Sequence, residues 1–134
     1  MIIKENNEKI ALAACTGMSA NGLVSRIAVY DTQKELDNII HICIPSTAAE
    51  SNKSIKKIIN KYPIIAVNGC ENSCVNKILK DKNIKVNKSI NVNKELENCK
   101  VRPINPARCG KREEIAVNYI KKILIKKANE IGGN

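Results

Sequence analysis

Residues 10–17 read IALAACTG, a short apolar run that ends in a cysteine and a turn. Consecutive apolar residues followed by a turn signal are typical of a strand that is buried on both faces. Such strands belong to parallel sheets that are covered by helices on each side. The run therefore predicts a first strand over Ile10–Ala14 that carries Cys15 into the following loop.

The same arrangement of an apolar run and a cysteine recurs along the chain. Residues 38–44 are apolar enough for a second strand, with Cys43 near its end and Pro45 stopping it. Residues 64–67 predict a third buried strand, and Asn68, Gly69 and Cys70 form the turn after it. Each predicted strand thus ends near a cysteine.

Apolar residues at helical spacing separate these strands. The predicted helices cover about residues 20–36, 47–62, 74–83 and 111–131. A capping box of Thr47 and Glu50 begins the second helix, and Pro63 ends it. The third begins at Cys74. The buried side of the last helix is predicted to consist of Ile115, Tyr119, Ile120, Ile123, Leu124 and Ile131.

A weaker pattern lies between the third and the last helix. Residues 84–92 alternate Ile84, Val86, Lys88, Ile90 and Val92 with polar residues, which predicts a half-exposed edge strand. Residues 95–108 contain Pro103 and Pro106 and are predicted to be irregular.

Strands that alternate with helices imply right-handed crossovers and a mainly parallel sheet with helices on both faces. We therefore expect an α/β, Rossmann-like fold with about four strands and a long C-terminal helix. The 134 residues fit a single domain over 1–134. No apolar stretch approaches the roughly 18 residues of a membrane span. The first ten residues are too polar for a signal peptide, so we expect a cytoplasmic protein.

The chain is strongly basic, with 23 Lys and Arg against 13 Asp and Glu and a net charge of +10. Aromatic residues make up only 2%, so the stacking platforms of single-strand binders are missing and nucleic acid is not a favoured partner. Contact with a phosphate backbone needs charge alone. A lysine-rich solvated surface is the simpler interpretation.

The six cysteines suggest a shared function. Because the carboxyl ends of parallel strands lie at one edge of a sheet, Cys15, Cys43 and Cys70 are expected in one crevice, and Cys74 joins them from the start of a helix. Four thiols can bind zinc tetrahedrally or hold an iron–sulfur cluster. Small buried hydrophobes are the alternative role for free cysteines.

The segments Cys15-Thr16-Gly17, Cys43, and Asn68-Gly69-Cys70 with Cys74 resemble the DGC-domain family, which is named after an Asp-Gly-Cys triplet. The resemblance spans about residues 9–92 and implies metal binding, because the four cysteines of the family are its suspected zinc ligands. Asn68 stands where the aspartate would be. An amide cannot act as a base, but it can support a turn or orient a ligand by a hydrogen bond.

Other reactive residues lie outside this pattern. Cys99 and Cys109 are in an arginine-containing segment, and Cys109 precedes the last helix, a setting in which thiols are often activated. The alternatives are a structural or incidental role, a second metal site, a redox pair, or the completion of a cluster. His41 is the only histidine and is two residues from Cys43, so it is a candidate ligand, although a core histidine is the favoured interpretation.

Three functions are compatible with these residues. The first is zinc binding by Cys15, Cys43, Cys70 and Cys74, in metal handling or as a structural site. The second is an iron–sulfur or persulfide-dependent protein of redox or sulfur-transfer type, with Cys99 or Cys109 as resolving thiols. The third is a basic adaptor for nucleic acid or an acidic protein partner. No Ser/His/Asp set is present, so no catalytic residue is assigned.

Overall fold

A computed structural model describes residues 9–49, 61–69 and 71–132. The strands of this part are β1 Ile10–Ala14, β2 Ile39–Ile42, β3 Ile64–Asn68 and β4 Lys88–Asn91. The helices are α1 Ala20–Glu35, α2 Ile44–Ala49, α3 Cys74–Asp81, α4 Val92–Glu95 and α5 Lys111–Gly132, with a 3-10 turn over Leu96–Asn98. None of these helices is long and apolar enough to span a membrane.

The four strands form one parallel sheet with the order β2-β1-β3-β4. Every residue of β1 and β3 is buried, as expected for the central strands of a sheet covered on both faces. The α/β fold with a four-stranded parallel sheet is therefore confirmed.

Alternate residues of the central strands enter two separate apolar cores. Leu12 and Val67 pack with α1 and α5 on one face. Ala11 and Ala66 pack on the opposite face with residues of α2 and α3. The helices therefore cover both faces of the sheet, as the sequence predicts.

The strand order changes direction between β1 and β3. The chain leaves β1 for α1 on one face, whereas it leaves the neighbouring β3 for α3 on the other face. Because the two outgoing segments diverge, a crevice opens at the carboxyl ends of β1 and β3, which is where open α/β sheets bind ligands. Cys15 and Gly69 lie at this crevice.

The fourth strand is shorter than the predicted 84–92. Its pairing with β3 begins at Lys88, opposite Ile65, and Val92 already belongs to α4. The prediction that Ile84 and Ile90 share one face of a strand was wrong. Ile84 packs on the α3 side of the sheet, whereas Ile90 packs on the α1 side. The side chain of Asn91 ends the strand by accepting a hydrogen bond from the Lys94 N–H at 3.1 Å.

Helix α2 begins at Ile44, before the predicted Thr47 cap. Pro45 is accommodated because the first turn of a helix does not need its N–H. The Thr47 hydroxyl donates to the Cys43 carbonyl at 2.8 Å, so it does not cap the helix. Glu50 and the rest of the predicted second helix up to residue 60 lie outside the described residues.

The last helix is confirmed, but its buried side is partly different from the prediction. Ile120 and Leu124 are buried as expected, whereas Ile115 is 48% exposed. Ala116 and Ala128 are buried instead. These small residues let α5 pack closely against α1, so side-chain size decides the contact face as much as hydrophobicity does. Partly buried positions on this side are Tyr119, Ile123 and Ile131.

Candidate functional site

The thiol of Cys15 lies at the crevice between β1 and β3. The Cys15 N–H donates to the Val67 carbonyl at 2.8 Å, which extends the pairing of the two strands beyond the end of β1. The Sγ atom in turn accepts the Gly17 N–H at 3.4 Å. The strand and the loop after it therefore both hold the sulfur in place.

Glycine backbone lies close to this sulfur, and Cys15 also packs against the apolar core on the α2 and α3 side of the sheet. A Cβ atom on Gly69 would lie 3.1 Å from the Cys15 Sγ and 3.3 Å from the Gly22 nitrogen. A Cβ atom on Gly22 would lie only 2.3 Å from the Gly17 carbonyl oxygen. The loop after β1, the start of α1 and the end of β3 are thus in direct backbone contact, and glycine is required where they meet. We call this space around the Cys15 sulfur the glycine niche.

The start of α1 is fixed beside the glycine niche by a side-chain cap. Ser19 has extended backbone angles, and its hydroxyl accepts the Gly22 N–H at 3.1 Å. Serine is one of the preferred residues at this helix position because its oxygen satisfies a backbone N–H that has no partner within the helix. The loop from Cys15 to Ser19 is therefore anchored at both ends.

Cys43 directly follows β2 at the same edge of the sheet. Its side chain is exposed, and its carbonyl accepts hydrogen bonds from the N–H and the hydroxyl of Thr47 at 3.0 and 2.8 Å. Because β2 pairs with β1, Cys43 lies on the neighbouring loop to Cys15.

Cys74 is the first residue of α3 and is also exposed. The residue before it, Ser73, has a left-handed conformation with φ of 52° and makes no side-chain cap. Asn68 provides the cap from the end of β3, since its Oδ1 atom accepts the N–H groups of Val75 at 3.0 Å and Asn76 at 3.3 Å. The position of Cys74 therefore depends on Asn68.

The amide group of Asn68 also uses its donor side. The Nδ2 atom donates to the Ile90 carbonyl at 3.3 Å and to the Oδ1 atom of Asn76. The residue is only 2% exposed, so these contacts replace water entirely. An ionised aspartate would have no donor for either oxygen. Asn68 thus has the orienting role that is open to an amide at this position.

Three of the described cysteines follow strands or begin a helix at one edge of the sheet. Cys15, Cys43 and Cys74 occupy three separate segments there. Within residues 9–49, 61–69 and 71–132, no group of three or more His, Cys, Asp or Glu residues is arranged to hold a metal ion. Cys70, the fourth predicted ligand, lies outside the described residues. The four-cysteine ligand set therefore stays a prediction.

The family model of the DGC domain matches residues 11–116 of this chain. The chain belongs to the DGC-domain family. The match extends beyond the expected limit near residue 92, so Cys99 and Cys109 lie within the DGC domain. No curated protein and no solved structure matches the chain.

Polar side chains connect the DGC crevice to an arginine. Asn21, in the first turn of α1, donates to the Oδ1 atom of Asn93 at 3.4 Å. The same oxygen accepts a hydrogen bond from Arg102 at 3.2 Å. A guanidinium group is therefore linked through two amides to the helix that borders the glycine niche.

Acidic side chains lie near the exposed thiol of Cys109. Partial burial, followed by the carboxylates of Glu114, Glu113 and Asp31, raises the pKa of Cys109 above its usual value. The carboxylates in the first turn of α5 act against the alternative of an activated thiolate at Cys109. Glu113 and Glu114 were the sequence signal for this effect.

Glu113 is a structural residue that the sequence interpretation missed. It is 3% exposed, and its carboxylate accepts the N–H groups of Ile104 at 2.9 Å, Asn105 at 3.1 Å and Gly110 at 2.9 Å. These hydrogen bonds, those from Ile104 and Asn105 above all, lower the pKa of Glu113. The Gly110-x-x-Glu113 spacing is the visible signal of a cap, and the two other contacts tie the preceding loop to α5.

His41 is neither a core histidine nor close to a metal-ligand group in the described part of the chain. It is exposed on the edge strand β2 and shares a hydrogen bond of 2.8 Å between its Nδ1 atom and the Oε1 atom of Gln33. Its ring centroid lies 5.0 Å from that of Tyr30. The core position was wrong because His41 lies on an edge strand, where the side chains of Gln33 and Tyr30 on α1 are its neighbours and leave it exposed.

Proposed function

We propose that this DGC domain binds zinc through Cys15, Cys43, Cys70 and Cys74 and acts in metal handling. The observation that carries this proposal is the Cys15 sulfur in its glycine niche, at the crevice between β1 and β3. Cys43 follows the other neighbour of β1, and Cys74 opens the helix after β3. The three loops that supply these residues are adjacent at one edge of the sheet.

The chemistry of the donors fits zinc. Zinc is commonly bound by four cysteine thiolates in tetrahedral geometry. The glycine niche supports the fit, because a side chain on Gly69 would occupy the space beside the Cys15 sulfur that a ligated metal needs. Arg102, linked to the start of α1, supplies positive charge near a site whose thiolates are negative.

The exposure of the thiols favours metal handling over a closed structural site. Cys43 and Cys74 are exposed, and both lie at the boundaries of secondary-structure elements. Exposed thiols on separate segments are accessible to the ligands of another protein, which metal transfer requires. Because the cysteines come from separate segments, zinc binding would tie these segments together and should increase their local order.

The experiment is a zinc titration of the metal-free protein against a chromophoric chelator, repeated for single Cys→Ser variants. Cys15→Ser, Cys43→Ser, Cys70→Ser and Cys74→Ser should each weaken zinc binding. Cys99→Ser is the matched control, because its partly buried thiol packs against the core on the α1 side and leaves the ligand set intact. Unchanged affinity in all four site variants would contradict the proposal.

Cobalt provides a second measurement of the same ligands. Cobalt(II) in place of zinc should give the visible bands of tetrahedral thiolate coordination, with intensity that falls when one of the four cysteines is replaced. A spectrum without sulfur-to-metal charge transfer would show that thiolates are not the ligands.

A further inference from the structure

A groove of about 530 Å³ lies between α3 and the segment that follows it. Lys77 and Lys80 line it from the helix, and Lys85 lines it from the following segment. Ile84 and Val86 add apolar surface. The groove therefore combines three cationic side chains with apolar ones, and we call it the lysine groove.

The end of α3 gives the lysine groove a fixed shape. Asn83 adopts a left-handed conformation with φ of 60°, and its N–H donates to the Lys80 carbonyl at 3.0 Å. The Ile84 N–H donates to the Leu79 carbonyl at 2.9 Å. This pair of hydrogen bonds, together with the packing of Ile84 and Leu79 in one core, is a Schellman motif. The turn brings lysines from both sides of it to the same groove.

The groove lysines take part in none of the ion pairs found in the described part of the chain. The ion pairs found there, Lys88 with Glu130 and Lys121 with Glu35, involve other lysines. No Asp or Glu is among the groove residues, and Asp81, at the end of α3, does not line it. A concave surface with positive charge concentrates anionic partners and increases their rate of association.

We propose that the lysine groove docks an acidic segment of a partner protein. The ammonium groups of Lys77, Lys80 and Lys85 match carboxylates, and Ile84 and Val86 match aliphatic side chains between those carboxylates. The groove contains no aromatic side chain on which a nucleobase could stack. A peptide with carboxylate and aliphatic side chains therefore complements this surface better than a nucleic acid does.

The docked segment would lie close to the thiol edge of the sheet. Lys77 is three residues after Cys74 on α3, so the two side chains lie on the same side of the helix. Asn76, which also lines the groove, is hydrogen-bonded to Asn68. A partner in the groove is thus in position to exchange metal at Cys74, and this last step rests on the proposed zinc site.

The test uses the metal-free full chain and a fluorescent peptide of Glu and Leu residues, with binding measured by anisotropy. The peptide should bind, and its affinity should fall as salt is added. The double variant Lys77→Glu and Lys85→Glu should weaken binding by about tenfold, as expected for reversing two surface charges. Lys77→Gln with Lys85→Gln gives a milder version, should the charge-reversed chain fail to fold.

Lys94→Glu with Lys100→Glu is the matched control, since both lysines are exposed and neither lines the groove. It should bind the peptide almost as well as the unchanged chain. Equal weakening in both double variants would overturn the proposal in favour of a net-charge effect. Equal binding of a Gln and Leu peptide would also overturn it. The proposal would also be overturned if a single-stranded oligonucleotide of the same charge bound more tightly than the acidic peptide and depended on Lys77 and Lys85. None of these results depends on zinc.

Discussion

Replacing Asn68 by alanine removes the side chain that joins the end of β3 to the start of α3. Loss of a helix cap costs about 1 kcal/mol. Leaving buried acceptors such as the Ile90 carbonyl without their donor costs about 1–3 kcal/mol more. Since Asn68 is 2% exposed, these contacts are shielded from bulk water. We therefore expect Asn68→Ala to lower the free energy of unfolding by about 2–4 kcal/mol.

The two sides of the Asn68 amide can be separated by Asn68→Asp. The carboxylate can still accept the N–H groups of Val75 and Asn76 but cannot donate to the Ile90 carbonyl. In hydrogen exchange, the Val75 and Asn76 amides should lose protection in Asn68→Ala and keep it in Asn68→Asp. Chemical denaturation of the metal-free protein should show both variants to be less stable than the unchanged chain.

Asn87→Ala is the matched control for this experiment. The Asn87 side chain accepts the Ile64 N–H at 3.1 Å, at the opposite end of β3 from Cys74. Both alanine variants lose an asparagine contact to the backbone, but only Asn68→Ala should reduce zinc affinity. If Asn68→Ala is as stable as Asn87→Ala and keeps protection at Val75 and Asn76, Asn68 does not cap α3.

Three further predictions follow from the crevice and from α5. Gly22→Ala should destabilise the chain in thermal unfolding by about 1–3 kcal/mol, because the new Cβ would lie only 2.3 Å from the Gly17 carbonyl oxygen. Gly17→Ala should be tolerated better, because its Cβ would lie 3.4 Å from the Cys15 Sγ. The pKa of Glu113 is lowered in the fold, so its carboxylate stabilises the chain above the ordinary value of 4.5, and this contribution is lost as the pH falls through the lowered pKa. Glu113→Gln should therefore make the midpoint of thermal unfolding less dependent on pH below that value. Glu114→Gln should lower the pKa of Cys109 and speed its alkylation near neutral pH; an unchanged rate would show that the carboxylate does not act on this thiol.

The sheet could be predicted because its strands are buried on both faces. Residues 10–14 and 64–67 are short continuous apolar runs that end at turn residues, and their length favours a buried strand over a buried helix. The predicted fourth strand was too long, because alternation alone does not show where strand pairing stops. Asn91 ends the pairing by capping α4. The face of α5 could not be fixed from periodicity, since contact with α1 selects Ala116 over Ile115.

The location of the candidate site could be predicted in part. Parallel strands necessarily place Cys15 and Cys43 at the same edge, so topology alone gives this result. The Asn68 cap could not be predicted, because it joins Asn68 to Val75, seven positions further along the chain. The fold sets the shape of the loop between them, and no local sequence pattern indicates this contact. Whether thiols at one edge meet also depends on loop geometry, which sequence spacing does not determine.

The metal content of the protein, purified without oxygen and without added metal, tests the central claim most directly. Elemental analysis with an ultraviolet–visible spectrum should find about one zinc per chain and no visible absorbance, as expected for a single thiolate site. Iron with sulfide and a band at roughly 400 nm would contradict the zinc site and identify an iron–sulfur protein. Protein that contains no metal and does not bind added zinc would contradict metal handling altogether.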